Sequence, residues 1–393
     1  MTTLFLAQSL TSAAPSDLKV WAYVGFVALV LIFLALDLGV FHRDAHEVSM
    51  KESLIWSAIW LTCGISFSAF VYFAYEGHWL GLGLNTPKYL DGKIVLGEVT
   101  GSVATIQYLT GYVVEKSLAM DNIFVIAMVF GFFAIPRKYQ HRVLFWGIVG
   151  ALVMRGGMIF LGAELIMRYT WILIFFGFFL ILTALKMALI KSEEDPSKNP
   201  IVKLARKYFR TVDFFDGQRF FTRRTEPPVY ETDSITGKAT QLPARPGSLS
   251  LKSAITPLFL ALIMVEITDL VFAVDSIPAI FAITPDPFIV FTSNIFAILG
   301  LRALYFCLAA LIAKFRFLKP ALILILAFVG VKLLLLAFPP YFNDLGLTAS
   351  EIKSIKIEPM ISLIVVLSTL FLASVLSILL PAKAQEHPAS TDK

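Results

Sequence analysis

The amino-acid sequence predicts an all-α, polytopic membrane protein with about nine transmembrane helices. Of its 393 residues, 58% are hydrophobic and only 16% are charged, and the mean hydropathy is +0.78. Several apolar runs reach the roughly 18–20 residues that a helix needs to cross a bilayer. Lysines and arginines cluster between these runs, so the net charge of +5 belongs to connecting loops and does not indicate a nucleic-acid-binding surface.

The apolar runs and the basic loops together predict the course of the chain through the membrane. Residues 4–14 lack the basic start of a signal peptide, so we expect them to lead into the first span. We place the spans at residues 20–41, 53–75, 102–134, 143–163, 170–190, 253–283, 288–313, 320–339 and 359–381. Alternating helices put the basic connections on one side, which is cytoplasmic by the positive-inside rule: 42–52, 135–142, 191–252 and 314–319. The sequence therefore predicts a membrane protein with its N-terminus outside and its C-terminus in the cytoplasm.

The sixth span contains the most informative stretch, VEITDLVFAVDSIPAIFAIT at 265–284. Glu266, Asp269 and Asp275 lie in this otherwise apolar run, and each carboxylate at bilayer depth costs roughly 2.5–3.5 kcal/mol on insertion scales. A surface helix would show a wide polar face, which the nearly continuous apolar residues around the acids exclude. Three acids at this depth therefore indicate an ion or proton site.

Charged residues recur in two sets of three spans, which predicts an internal repeat. Glu115 and Asp121 are six residues apart, as are Asp269 and Asp275. The next span of each set carries one arginine, and the span after that carries one lysine: Arg155 and Lys186, then Arg302 and Lys332. With three helices per unit and a cytoplasmic linker between units, the second unit must be inverted, as in secondary transporters with a midplane ion site.

This repeat divides the chain into five predicted parts. They are an N-terminal two-helix segment (1–101), the first repeat (102–190), a connector (191–252), the inverted second repeat (253–339), and a last helix with a tail (340–393). We expect the connector to be solvated, with some helix at 199–209. Gly111 and Pro278 lie beside the acidic motifs, so we expect each acidic helix to be broken or kinked there.

The side-chain chemistry of the acidic helices predicts a site for a hard divalent cation. Carboxylate, amide and carbonyl oxygens suit Mn²⁺, Ca²⁺ and Mg²⁺, whereas Zn²⁺ and Cu²⁺ prefer imidazole or thiolate. These helices contain no histidine, and the two cysteines, Cys63 and Cys307, lie in other apolar segments. The predicted metal ligands are Glu115, Asp121, Asn122, Glu266, Asp269 and Asp275.

The other charges in the spans have two interpretations. The paired arginines and lysines of the two repeats either pair with the carboxylates or snorkel to an interface, or they occupy the cation site when it is empty. Lys116 is expected to face away from the site and to snorkel. Asp37 fits an interface and an ion pathway equally well.

Several segments resemble the TerC/Alx family of bacterial membrane proteins. They are VVEKSLAMDNIFV (113–125), VEITDLVFAVDSIPAIFAIT (265–284) and FTSNIFAILGLRALYF (291–306), and the similarity extends over roughly residues 30–340. The resemblance implies a protein of the bacterial inner membrane that acts in manganese export and metal homeostasis. The family's name also implies tellurite resistance, and the family is grouped with transporters of the LysE type. The acidic motifs of the family match the six predicted ligands.

Two alternatives to metal transport remain at this stage. One is a membrane stress or assembly subunit, for which the carboxylates would need no metal. The other is an intramembrane aspartyl protease with Asp121 and Asp275 as a dyad, but neither residue has a GxGD context and five carboxylates exceed what a dyad needs. We therefore expect no enzyme activity and no cofactor. The lipid bilayer and the metal ion are the expected partners, and the sequence leaves the oligomeric state, transport direction and coupling ion open.

Overall fold

The computed structural model describes residues 15–36, 49–90, 93–169, 171–189, 209–232, 239–241, 249–309, 317–344, 355 and 357–379. Within them the chain is mostly helical. The helices are α1 (Pro15–Leu36), α2 (Met50–Glu76), α3 (Gly101–Phe132), α4 (Arg137–Arg168), α5 (Trp171–Leu189), α6 (Pro257–Phe281), α7 (Pro287–Leu299), α8 (Leu301–Ala309), α9 (Leu318–Asp344) and α10 (Pro359–Leu379). The predicted leader at 4–14, Asp37 and nearly all of the helix predicted at 199–209 lie outside the described residues.

The predicted polytopic membrane architecture is confirmed. In the described part of the chain, eight segments are long and apolar enough to cross a membrane, and α7 together with α8 counts as one of them. The remaining predicted span corresponds to α3, which has 32 residues and carries Glu115, Lys116 and Asp121 in its middle. Large apolar side chains such as Val153 and Phe160 are more than two-thirds exposed on α4, as expected of a lipid-facing surface.

The helices of the two predicted repeats pack against each other in a reciprocal pattern. Helix α3 contacts α7, and α4 contacts α6, so the first helix of each set lies on the second helix of the other. The third helices, α5 and α9, pack on one another. Helix α7 is buried on all sides, as expected of a helix whose residues are nearly all apolar. The first two helices of each set therefore enclose the centre of the protein.

The acidic helices are not broken at the predicted positions. Helix α3 runs unbroken past Gly111, and α6 runs unbroken to Phe281 with Pro278 in its last turn. Gly111 instead allows α3 to approach α7 closely, because an added Cβ would lie 2.9 Å from the Oγ of Ser293. The break occurs at Gly300, between α7 and α8.

A β-hairpin closes one end of the helix bundle. Strand β1 (Thr86–Leu90) pairs with β2 (Lys93–Gly97), and the hydroxyl of Tyr89 donates to the carbonyl of Phe281 at 2.6 Å. Nearby, the hydroxyl of Tyr75 donates to Asp286, 2.5 Å away, whose carboxylate also caps the first turn of α7. Burial raises the pKa of the Asp286 carboxyl, and these hydrogen bonds oppose the rise. The α6–α7 connection is therefore held by buried polar contacts.

The connector is more ordered in its described residues than the sequence predicts. Strand β3 (Phe221–Arg224) pairs with β6 (Leu249–Ile255), and β4 (Tyr230–Thr232) pairs with β5 (Ala239–Gln241). The buried Asp216 accepts a hydrogen bond from Thr222 and lies beside Arg224. The ring of Phe221 packs on Phe259 of α6. These contacts attach the connector to the bundle; the five domain boundaries themselves stay a prediction.

Candidate functional site

A buried arginine joins four helices at the centre of the bundle. Arg155 of α4 is 1% exposed. Its Nε and Nη2 donate to the two carboxylate oxygens of Asp269 on α6, at 3.0 and 2.7 Å, in the fork geometry that suits guanidinium and carboxylate. Its Nη1 pairs with Glu115 of α3 and donates to Oδ1 of Asn294 on α7 at 2.9 Å. Asn122 of α3 adds a 3.2 Å hydrogen bond to Asp269. We call these five residues the Arg155 cluster.

The Arg155 cluster leaves buried oxygens without a partner. Oε2 of Glu115 and Oδ1 of Asn122 have no hydrogen-bond partner among the described residues, and neither has Oγ of Ser276 on α6. A buried polar atom without a partner is uncommon in folded proteins and needs a water or an ion to satisfy it. All three residues supply hard oxygen donors, which suits an oxygen-coordinated cation.

The same three residues line a small cavity, the Asp275 cavity. Its volume of about 30 Å³ has room for one or two water-sized species. Asp275 borders it, and Oδ1 of Asp275 accepts a hydrogen bond from Thr183 of α5 at 3.1 Å. The full lining is Glu115, Leu118, Asn122, Arg155, Met187, Phe272, Asp275, Ser276 and Leu326. Two carboxylates, an amide and a hydroxyl therefore face one space inside the bundle.

A second cavity, the Asp269 cavity, shares Asn122 with the first. It also has a volume of about 30 Å³, and its polar lining comes from Asn122, Thr268, Asp269 and Arg302. The apolar lining comes from α3, α4 and α6 and from the region where α7 meets α8. These residues are Ile126, Leu144, Gly147, Ile148, Ala151, Val265, Ile298 and Leu301. Members of the Arg155 cluster thus line two small cavities, and Asn122 lines both of them.

The structure distributes the six predicted ligands unevenly. Glu115, Asn122 and Asp269 meet in the Arg155 cluster, and Asp275 reaches the same cavity as Glu115. Glu266 packs against Gly150 of α4, where an added Cβ would overlap the carboxylate of Glu266. Oε2 of Glu266 has no hydrogen-bond partner among the described residues. The side chain of Asp121 lies outside the described atoms. Within the described residues, no three histidine, cysteine or acidic side chains lie close enough to hold a metal ion.

Three other membrane cations have defined hydrogen-bond partners. Lys116 does not snorkel as predicted: it is half-buried and its Nζ donates to the carbonyl of Ala297 at 3.0 Å, one turn before the break at Gly300. That carbonyl lies where the regular helical ladder ends, so the lysine satisfies it. Arg302 contacts His141 at 2.6 Å, and Lys332 donates to Ser362 at 2.8 Å.

Sequence reasoning missed Asn294, which lies fully buried beside Arg155. The signal was present in the run Thr292-Ser293-Asn294, three polar residues in an otherwise apolar span. Thr292 and Ser293 bond to carbonyls of their own helix, whereas the amide of Asn294 projects into the cluster. Polar residues in a membrane helix need partners, and only the fold reveals which of them face another helix.

These features define a polytopic helical membrane protein with a charged site buried between its helices. The chain matches the family of integral membrane proteins called TerC over residues 100–385, and it therefore belongs to the TerC family. The match spans both predicted repeats and every residue of the Arg155 cluster. No solved structure matches the chain.

Relatives of similar length carry general names. The chain is 42% identical to an uncharacterized membrane protein of Myxococcus xanthus, STKORF319, over 81% of this chain and 84% of that protein. It is 40% identical to Alx of Photorhabdus laumondii, described as a proposed membrane-bound redox modulator, over 83% of this chain and 90% of the relative. The Escherichia coli protein of the same name is 42% identical over 80% of this chain and 85% of its own length.

Proposed function

We propose that this protein carries a divalent metal ion, Mn²⁺, out of the cell through the site between its two sets of helices. The observation that carries the proposal is the Asp275 cavity: its lining includes Asp275 together with Glu115, Asn122 and Ser276, each of which has a buried oxygen without a partner among the described residues. Buried carboxylates inside a membrane bundle are costly, and ion pathways are where membrane proteins retain them.

The donor types favour a hard divalent ion as cargo. Carboxylate, amide and hydroxyl oxygens suit Mn²⁺, Mg²⁺ and Ca²⁺, and no imidazole or thiolate lines the cavity among the described residues. The relatives' name as redox modulators agrees with manganese as the cargo, because manganese is itself a redox-active metal. In this proposal the protein moves an ion and is not an enzyme; it binds no cofactor beyond its cargo.

The proposed mechanism alternates access between the two cavities. An ion held by Glu115 and Asn122 would face the Asp275 cavity in one arrangement and the Asp269 cavity in the other. The reciprocal packing of α3 on α7 and of α4 on α6 supports an inverted pair of three-helix repeats, as in LysE-type transporters. Rocking of one set against the other would open either side while the ligands stay near the middle.

We expect the protein to lie in the bacterial inner membrane with inverted repeats, and this orientation can be tested with tags. Reporters inserted at 135–142 and in the 191–252 connector should both report the cytoplasm, because these connections carry the clusters of lysine and arginine. A reporter at 284–288 should report the outside. Opposite locations for the first two reporters would refute the inverted arrangement.

The transport proposal is tested by Asp121→Asn and Asp275→Asn. Each exchange removes a carboxylate from a matched position in the predicted repeats and nearly preserves its shape. We expect each variant to lose export of Mn²⁺ from loaded cells, measured as cellular manganese, while its amount in the membrane stays normal. Thr183→Ser keeps the hydrogen bond to Asp275 and is the matched control. Wild-type export by either variant would exclude that residue as a ligand.

The same experiment separates transport from a stress or assembly role. A subunit that only assembles a complex does not need the acids to bind metal, so its phenotype should survive both exchanges. If cells with and without the wild-type protein retain the same manganese after loading, the transport proposal is wrong.

A further inference from the structure

Arg155 divides its bonds unequally between the two acids with which it pairs. It holds Asp269 through the Nε and Nη2 fork, whereas Glu115 receives only Nη1. The second oxygen of Glu115 is unpartnered and Glu115 borders the Asp275 cavity. Glu115 is therefore shared between a tethered cation and the space where the proposed cargo would bind.

We propose that Arg155 is an internal competitor of the transported cation for Glu115. A divalent ion that binds Glu115 places two further positive charges beside the guanidinium, and like charges repel strongly in a site with little water. Arg155 then retains its fork on Asp269 and gives up Glu115 and Asn294. When Arg155 returns to Glu115, it expels the ion. This inference rests on the proposed transport function and names the residue that makes release possible.

Two physical requirements of a transporter support this role. Without a positive partner, Glu115 would be a buried uncompensated charge, which is strongly destabilising. A site that offered several free oxygens and had no competitor would also bind a divalent ion too tightly to release it, whereas passage requires that the ion can leave. Arg155 on α4 meets both requirements, because it compensates the charge of Glu115 and lowers the apparent affinity of the site for the ion.

The test measures affinity and turnover separately in two variants. Purified wild-type protein, Arg155→Gln and Arg155→Lys are titrated with Mn²⁺ by calorimetry, and each is reconstituted into vesicles that report Mn²⁺ entry by fluorescence quenching. We expect Arg155→Gln to bind Mn²⁺ roughly tenfold more tightly, because the competitor is gone. We expect its turnover to fall, because nothing expels the ion. A merely structural arginine predicts that both binding and turnover worsen.

Arg155→Lys separates competition from simple repulsion. The lysine keeps the charge but cannot make the fork to Asp269 and reach Glu115 and Asn294 together. Repulsion alone therefore predicts unchanged affinity, whereas loss of the competitor predicts affinity between wild type and Arg155→Gln. If Arg155→Gln does not fold, the Mn²⁺ affinity of Arg155→Lys tests the inference by itself.

The control removes a different buried membrane cation. Lys332→Gln deletes the lysine of α9 that bonds to Ser362, and we expect its affinity for Mn²⁺ to equal that of the wild type. If the wild type binds Mn²⁺ and the folded Arg155 variants bind it equally well or more weakly, the inference is wrong and the transport proposal stands. If the wild type binds no Mn²⁺, both are wrong.

Discussion

Asp269→Asn should reduce Mn²⁺ transport by about 10–100-fold, the usual cost of losing a group that orients metal ligands. Asp269 accepts two hydrogen bonds from Arg155 and one from Asn122. It therefore fixes the positions of both side chains beside the proposed ion site. Glu115, Asp269 and Arg155 together carry one net negative charge, and the exchange brings this to zero. The attraction of the site for a cation falls, and Arg155 has only Glu115 left as an ionic partner.

The same exchange should also destabilise the protein, by up to about 3–5 kcal/mol, because it removes one partner of a buried ion pair. The matched control is Glu164→Gln, on the same helix as Arg155. Glu164 pairs with Arg168 in an exposed position, where an ion pair is worth about 0–1 kcal/mol. Thermal unfolding in detergent and vesicle transport are measured for both variants. Wild-type transport by a folded Asp269→Asn protein would contradict the role assigned to the Arg155 cluster.

The sequence predicted the membrane-spanning helices well because bilayer thickness leaves little freedom. Apolar runs of about 20 residues between basic loops have one stable arrangement, so the predicted span at 53–75 corresponds to Met50–Glu76 and the span at 359–381 to Pro359–Leu379. The helix breaks were harder to predict. Glycine and proline mark both breaks and close approaches, and Gly111 marks a close approach to Ser293 whereas Gly300 marks the break.

The sequence was sufficient to predict which helices carry the acids of the candidate site, but not which residues those acids contact. The acids of α3 and α6 were recognisable because charge in a membrane span is expensive. Which partner each acid takes depends on helix rotation and on distant helices, and four helices contribute to the Arg155 cluster. Asn294 on α7 and the inward direction of Lys116 therefore emerged only from the fold.

The ion preference of the proposed site gives the second large effect. We expect Mn²⁺ to bind best, Ca²⁺ and Mg²⁺ to compete weakly, and Zn²⁺ and Cu²⁺ not to be preferred. Ca²⁺ takes six to eight oxygens at longer distances than the smaller Mn²⁺ needs, and the Asp275 cavity of about 30 Å³ offers little room for that shell. Mg²⁺ gives up its water reluctantly, so it should compete poorly for a narrow site.

Zn²⁺ provides the most demanding comparison. For a given set of nitrogen, oxygen or sulfur ligands, affinity generally rises from Mn²⁺ to Zn²⁺, so ligand type alone does not select Mn²⁺. Selection must come from geometry: Zn²⁺ prefers four ligands in a tetrahedron, whereas Mn²⁺ prefers an octahedral set of oxygens, which Glu115, Asn122, Asp275 and Ser276 would supply together with water. Calorimetric titration of the purified protein with each ion measures the order. Binding should weaken towards acid pH, because carboxylate ligands must be deprotonated to bind a metal. Tight Zn²⁺ binding that persists in the double variant Asp121→Asn, Asp275→Asn would disprove an oxygen-coordinated site.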